Sequence, residues 1–365
     1  MRIGFDAKRL FFNGTGLGVY SRLLLRGLKA NYSDHQYLLF AANAQESNYY
    51  HDFSDFNVIG SRQPLWRSWS MVNDINNADC DLYHGLSHEL PFQSKRLNCP
   101  AIVTIHDTIF KVSPELFPAL DRKIYDIKWK YSCKASDLII AVSQHTKQDI
   151  IKYYGVDDDK IKVIPPPVNF KSTVSENLKA EIKQQHSLPN DFMLFVGSIT
   201  RRKNLLGILQ AMTLLPAEQC PPLVIIGTGK EKAAAQIFIS KNHLENKVYW
   251  VGYIPNWQLP VFYHLAHVFV YPSFYEGFGI PIVEALLCNT PVITSNISSM
   301  PEASGPGAIL VDPGSPTEIS AAVQTIYDDP SLTNRLALEG HDYVKRFTVD
   351  VVCQQMISTY QRVIR

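Results

Sequence analysis

The chain has 365 residues. That is too long for one ordinary hydrophobic core, so two domains of roughly 150–200 residues each are expected. Hydrophobic residues make up 46% and charged residues 19%, a balance that excludes disorder, and Lys plus Arg (35) nearly cancels Asp plus Glu (34), leaving no whole-chain field for nucleic acid.

The chain opens MRIGFDAKRL, a strand-like run broken by charge rather than a signal peptide. No later apolar run reaches the roughly 18–20 residues that span a bilayer. Cys80, Cys99, Cys133, Cys220, Cys288 and Cys353 are scattered, with no CxxC and no nearby His pairing. A cytoplasmic protein without structural zinc or a disulfide framework is expected. In the first half, continuous apolar runs predict strands at Arg2–Ala7, Tyr37–Ala42, Leu82–Gly85, Ala101–Asp107, Leu138–Ser143 and Ile161–Pro165. Helical patterns such as Val19–Lys29 and Leu120–Lys134 lie between them, so a parallel sheet covered on both faces is expected. Pro165-Pro166-Pro167 and the polar stretch Asn169–Ser187 interrupt the alternation. It restarts with strands at Met193–Ser198, Leu223–Gly227, Val248–Tyr253, Val268–Ser273, Val292–Ser295 and Ala308–Val311, and closes with a helix over Val349–Val363. Two doubly wound domains follow, and a ligand cleft is expected where the carboxyl ends of their strands face each other.

The segment Tyr271-Pro272-Ser273-Phe274-Tyr275-Glu276-Gly277-Phe278-Gly279-Ile280-Pro281-Ile282-Val283-Glu284 carries the most chemistry. A strand ends near Ser273, Pro281 suits a first helical turn, and Glu284 falls about one turn into that helix. Gly277 and Gly279 let backbone approach a ligand, and unpaired N–H groups at the helix start favour an anion. Carboxylates beside a phosphate need another task, and accepting hydrogen bonds from sugar hydroxyls fits. The implied ligand holds both diphosphate and polyol. Earlier, Arg202 and Lys203 follow a strand and precede the helix starting near Leu205, where fixed cations would stabilise a departing diphosphate. Asn13–Tyr20, with Gly16 and Gly18, is a glycine loop after the first strand. It lacks the G-x-G-x-x-G spacing and the later acidic residue of a nicotinamide site, which makes an oxidoreductase remote; close approach of its N–H groups to a sugar phosphate suits it better. His106, in Thr104-Ile105-His106-Asp107, ends a strand and should point into the same cleft.

The E-G-F-G-I-P-x-x-E string resembles the E-x7-E signature of retaining glycosyltransferases of the GT-B fold, family 4 (glycosyl transferases group 1) in particular. Phe195–Asn204 resembles that family's strand and Arg-Lys-Asn turn, and Val251-Gly252-Tyr253 its nucleotide-side loop. Thr290–Ser295, Met300-Pro301-Glu302 and Leu310–Pro313 match in order, so the resemblance spans the chain and is strongest over 193–313, closest to bacterial mannosyltransferase-like members. One departure is Ser198, where many relatives carry Arg; either Arg201 or Arg202 compensates, or the phosphate clamp is weaker here. The resemblance implies an α/β GT-B architecture with Rossmann-like domains at 1–170 and 171–346, and with the C-terminal helix in 347–365 crossing back to the first. It implies hexose transfer from a nucleotide sugar, GDP-mannose by analogy, to a glycan or lipid-linked acceptor in surface polysaccharide or lipopolysaccharide synthesis, without metal or cofactor. Catalytic roles fall on His106, Arg202, Lys203 and Glu276. Donor contacts fall on Gly16, Gly18, Ser198, Tyr253, Ile254, Gly277, Phe278, Gly279, Ile280 and Glu284. Front-side attack assisted by the leaving phosphate is the family's usual description. An epimerase of the same fold, or a non-catalytic nucleotide-sugar-binding partner, is the alternative; a phosphorylase would need a far longer chain.

Asp157-Asp158-Asp159 looks like a metal-binding D-x-D but sits in a turn, and Asp79-Cys80-Asp81 is a similar pre-strand turn. Arg62–Trp69 mixes tryptophan with arginine as a lipid interface would, and Arg122–Tyr131 is a basic helix with aromatics. Peripheral contact with the inner face of the membrane is therefore an expectation to test; nucleic acid is not an expected partner.

Overall fold

The computed structural model describes residues 1–170 and 172–364; residues 171 and 365, the expected limits of the second domain and of the closing segment, lie outside the described residues. The chain divides into two compact units, Met1–Asn169 with Phe347–Arg365, and Phe170–Arg346.

The first unit holds β1 (Arg2–Asp6), β2 (Gln36–Phe40), β3 (Asn57–Ile59), β4 (Leu82–Gly85), β5 (Ala101–Ile105), β6 (Leu138–Ala141) and β7 (Ile161–Val163). They form one parallel sheet in the order β3-β2-β1-β4-β5-β6-β7. All residues of β4 and β5 are buried, as strands covered on both faces must be. The edge strand β3 was not among the expected strands. It has three residues, one exposed and two half-buried, too few for any apolar period to register.

The second unit holds β8 (Met193–Val196), β9 (Leu223–Ile226), β10 (Val248–Gly252), β11 (Val268–Tyr271), β12 (Val292–Ser295) and β13 (Ala308–Val311), parallel in the order β10-β9-β8-β11-β12-β13. Each sheet therefore reverses its strand order once, between β1 and β4 and between β8 and β11. Such a switch point opens a crevice beyond the strand carboxyl ends, where open α/β sheets bind ligands.

The closing helix, Val349–Ile364, packs on the helix Gly16–Asn31 of the first unit. A Cβ on Gly27 would lie 2.2 Å from Val349 Cγ1 and 2.7 Å from Cys353 Sγ, so the contact needs glycine. Tyr360 reaches further and meets His84 Nδ1 through its hydroxyl at 2.7 Å, while His84 Nε2 lies 2.7 Å from Thr104 Oγ1.

Candidate active site

After β8 the backbone passes Gly197 at φ +145°, a conformation reserved for glycine, and a Cβ there would lie 3.0 Å from Lys203 Cδ. The 3₁₀ turn Arg201–Lys203 follows, and then the helix Leu205–Leu214. Asn204 joins the two: its Oδ1 accepts from Gly207 N at 3.2 Å, and its Nδ2 donates to the carbonyls of Pro272 (3.1 Å) and Pro313 (2.7 Å). This buried Asn ties three loops together. It lies in the quoted string, but its structural task left no periodic signal.

The turn delivers two cations to one carboxylate. Arg202 Nη1 lies 2.6 Å and Lys203 Nζ 3.2 Å from Glu276 Oε1. Tyr271 Oη donates to the same oxygen at 2.7 Å, and Ser273 Oγ at 3.1 Å. Lys203 also donates to Tyr271 Oη. All four donors converge on Oε1, and Oε2 accepts no hydrogen bond from any described residue. Burial alone would push the Glu276 carboxyl up; Lys203 and Arg202 overcome it and bring it to about 2. Burial moves Lys203 the other way, below the usual lysine range, against the pull of Glu276. The backbone of Glu276 is fixed as well, its N–H donating to Ser298 Oγ at 3.1 Å and its carbonyl accepting from Ser298 and Ser299 at 2.9 and 2.8 Å. Sequence reasoning singled out neither serine, nor Tyr271 and Ser273 as ligands of the carboxylate.

Gly279, at φ +112°, starts the helix Ile280–Leu287. Glu284 stands on it with Oε2 receiving the Tyr263 hydroxyl at 3.2 Å. Burial raises its carboxyl to about 7, only partly offset by Tyr263 and Lys203. Of the remaining expected donor residues in this unit, Ser198 is exposed. Tyr253 is 83% exposed while Ile254 is buried at 6%, so of that pair only Tyr253 offers its side chain to a base.

In the first unit, His106 follows β5. Its Nε2 lies 2.8 Å from the Leu86 carbonyl, which must be met by an N–H, so the proton sits on Nε2 and the Nδ1 lone pair is left to accept. Burial lowers its pKa to about 4 despite that carbonyl, keeping the ring neutral. Tyr20 packs edge-on against it at 4.5 Å. Gly16 begins its helix with open space around it, whereas the Gly18 N–H is spent within the loop, on Thr15 O (3.0 Å) and Asn13 Oδ1 (3.2 Å). Close approach of a ligand suits Gly16 alone.

Two weaker sequence signals resolve structurally. Asp158 stands in an exposed turn paired with Lys147 at 2.8 Å. Within the expected lipid-facing stretch Arg62–Trp69, Trp66 and Arg67 are turned to other work: Trp66 is 2% exposed with Nε1 on Asp74, and Arg67 is held by Asp6 and Glu89. In that segment Trp69 and Leu65 are exposed instead.

The chain matches the family model for Glycosyltransferase Family 4 over residues 14–172 and that for Glycosyl transferases group 1 over residues 179–342. It is 33% identical over 288 residues to O-antigen chain mannosyltransferase B of Escherichia coli, covering 77% of this chain and 74% of that protein. It is 29% identical over 210 residues to the longer serotype-specific mannosyltransferase WbdA of Escherichia coli, with 55% of this chain and only 26% of that protein covered. Among solved structures, HepE of Anabaena in complex with UDP superposes with a TM-score of 0.77 at 20% identity, over 99% of this chain and 100% of that one.

Proposed function

Because the chain belongs to glycosyltransferase family 4, with its second half in glycosyl transferases group 1, we propose that it moves a hexose, with retention, from a nucleoside-diphosphate sugar to a glycan or lipid-linked acceptor. The fold is GT-B and the chain is a glycosyltransferase. The reading of its chemistry is carried by one observation: two cations and one carboxylate fixed at the β8/β11 switch point, with one carboxylate oxygen left to accept.

Arg202, Lys203 and ionised Glu276 together carry a charge of +1, which draws a diphosphate. As the bond from sugar to phosphate stretches, negative charge grows on the leaving oxygen, and cations held in place by Glu276 and Tyr271 need not reorganise to meet it. That is the work a metal would do, and on this reading the reaction needs none. Glu276 Oε2 takes hexose hydroxyls and Glu284 the ribose. Ser198 and the backbone of Gly277 to Ile280 lie along the phosphate and hexose, and Tyr253 covers the base. In the first unit, neutral His106 accepts a hexose hydroxyl at Nδ1 and cannot act as a strong base. Attack from the face the phosphate leaves, with that phosphate taking the acceptor's proton, gives retention.

Mannose as the hexose and an O-antigen-type surface polysaccharide as the product rest on the named activities of the Escherichia coli relatives, and GDP as the carrier is proposed with mannose by analogy alone. Work at the cytoplasmic face of a membrane is supported by the helix Ala119–Ala135. It exposes Leu120, Ile124 and Ile127 on the same face as Lys123, Lys130 and Lys134, a pattern suited to anionic lipid. Among the described residues no helix is long and apolar enough to cross a membrane.

A thermal-shift screen against GDP-, UDP- and ADP-sugars, with products read by mass spectrometry, tests the donor. Lys203→Ala should lose both donor affinity and turnover. Glu276→Gln should separate them: it removes the negative charge beside two cations, so nucleoside diphosphate binds more tightly while turnover falls about 100-fold or more. Wild-type turnover in both variants would refute the site.

A further inference from the structure

A chain of buried polar side chains links His106 to the far end of the sequence. Tyr360 of the closing helix meets Nδ1 of His84, on β4, at 2.7 Å, and His84 Nε2 meets Thr104 Oγ1, on β5, at 2.7 Å. Thr104 Oγ1 lies 3.3 Å from Tyr20 Oη, on the helix Gly16–Asn31. The Tyr20 ring then stands at 88° to the His106 ring, in edge contact with it. All four linking side chains are buried, Tyr360, His84 and Thr104 completely. Hydroxyls and an imidazole in a core cost stability unless each is bonded, and a bonded set holds one geometry where apolar side chains would tolerate several.

Packing does not require this chain. Val352, Met356 and Ile357 already bury the closing helix, and the Tyr360 ring packs on Phe5 with centroids 6.3 Å apart, as a phenylalanine would. The Tyr360 hydroxyl adds direction instead of area. Burial keeps His84 neutral, lowering its pKa to about 3, so one ring nitrogen donates and the other accepts. A phenol is a stronger proton donor than an aliphatic hydroxyl, so Tyr360 donates to Nδ1 and the Nε2–H donates to Thr104. The last link reaches Tyr20, about one helical turn beyond Gly16. Its bond to β5 therefore fixes both the glycine-led start of that helix and the ring on which His106 rests.

We propose that Tyr360, His84 and Thr104 are positioning residues for hexose transfer, holding the His106 ring through Tyr20 so that its accepting Nδ1 keeps one orientation toward the donor. The proposal rests on glycosyl transfer as the activity and on His106 as a hexose contact. None of the three side chains reaches a reacting atom, since each is wholly enclosed by protein. Their effect passes through the angle of one ring. The Leu86 carbonyl holds His106 Nε2 at 2.8 Å but leaves the ring free to tilt about that bond, and the packed Tyr20 removes the freedom. Misplacing a group that orients substrate costs rate even where binding survives.

The test uses the full chain, with histidines labelled with 15N. Tyr360→Phe keeps the ring against Phe5 and removes one bond. It should lower kcat about tenfold, leave nucleoside-diphosphate affinity by calorimetry unchanged, and move the NMR signals of the His106 ring. Thr104→Val should do the same, while Thr104→Ser, which keeps the hydroxyl, should restore most of kcat; this pair carries the test if Tyr360→Phe does not fold. A brace that serves stability alone would lower the melting temperature and leave kcat and the His106 signals in place. A double-mutant cycle decides between the two roles: with His106→Ala already present, Tyr360→Phe should have no further effect on kcat. Wild-type kcat in Tyr360→Phe and Thr104→Val, or effects that simply add to that of His106→Ala, overturns the relay. Shifted His106 signals without product from any nucleotide sugar would keep the chain as what orients His106 and remove the transfer reading. Product formation with kcat and the His106 signals both unmoved would do the reverse.

Discussion

Glu276 and Glu284 are eight positions apart and titrate at opposite ends of the carboxylate range. The difference lies in their partners, since both are buried. Glu276 meets Arg202 and Lys203, whereas Glu284 has a tyrosine hydroxyl and only a distant pull from Lys203. With its carboxyl near 7, Glu284 changes charge in the working pH range. On the proposed reading Glu284 takes the donor's ribose, and as a carboxylate it is the stronger acceptor for those hydroxyls; protonated, it loses acceptor strength. Affinity for an intact nucleotide sugar, whose phosphates do not titrate there, should therefore rise between about pH 6 and pH 8. Glu284→Gln should flatten that profile, and calorimetry across the range checks it. The stability effect has the opposite sign. Because the folded pKa lies above the unfolded value, the group's contribution is full below about 4.5 and is lost as pH rises through about 7. Glu284→Gln should accordingly gain on wild type in thermal stability as pH rises. Both carboxylates and both cations were legible in the sequence, because a loop between strand and helix fixes where such residues stand. Their pairing was not. That Arg202 and Lys203 would seize one oxygen of Glu276 depends on Tyr271, Ser273 and the serines at 298 and 299, which reach it only through tertiary folding.

At the scale of elements, mostly apolar runs announce the strands, and the six expected in the second unit all form within two residues of their expected limits, the half-buried edges β10 and β13 included. The misses are short or half-exposed. β3 is one, and the five-residue helix Lys8–Phe12 between the first strand and the glycine loop is another. Neither is long enough to show a period. Helix contacts are harder to read, and Gly27 illustrates why. Inside a helix, Gly→Ala ordinarily stabilises by about 1 kcal/mol. Here the added methyl would overlap Val349 and Cys353 of the closing helix, and overpacking of that kind costs about 1–3 kcal/mol or more. The clash wins, so Gly27→Ala should lower the urea midpoint, with the two helices forced apart. A midpoint at or above wild type would mean that the helices slide without loss.

The molecule as a whole is a second unit inserted into a first. The chain leaves the first unit at Asn169 and returns at Phe347, and the two connecting segments run side by side, Val168 N–H donating to the Phe347 carbonyl at 2.8 Å. The described residues after Arg346 therefore belong to the domain that began at Met1 and add to its core. Val352, Met356 and Ile357 are buried in one cluster with Leu24, Leu25 and Leu28. At about 1.5–3 kcal/mol for each such side chain, these three contribute roughly 5–9 kcal/mol, against about 5–15 kcal/mol for an entire domain. Tyr360 adds its bond to His84, whose Nδ1 would be left buried without a partner. A chain ending at Arg346 should thus keep a folded second unit, since every residue of that unit's core is retained, and lose the first. Limited proteolysis with mass spectrometry reads this directly: cleavage should spread through residues 1–169 while the fragment 170–346 survives and still binds nucleoside diphosphate. Equal protection of both halves would show that the first sheet needs no cover from the returning helix. Loss of nucleotide binding from an intact second half would place the donor's anchor outside the Arg202–Lys203–Glu276 cluster.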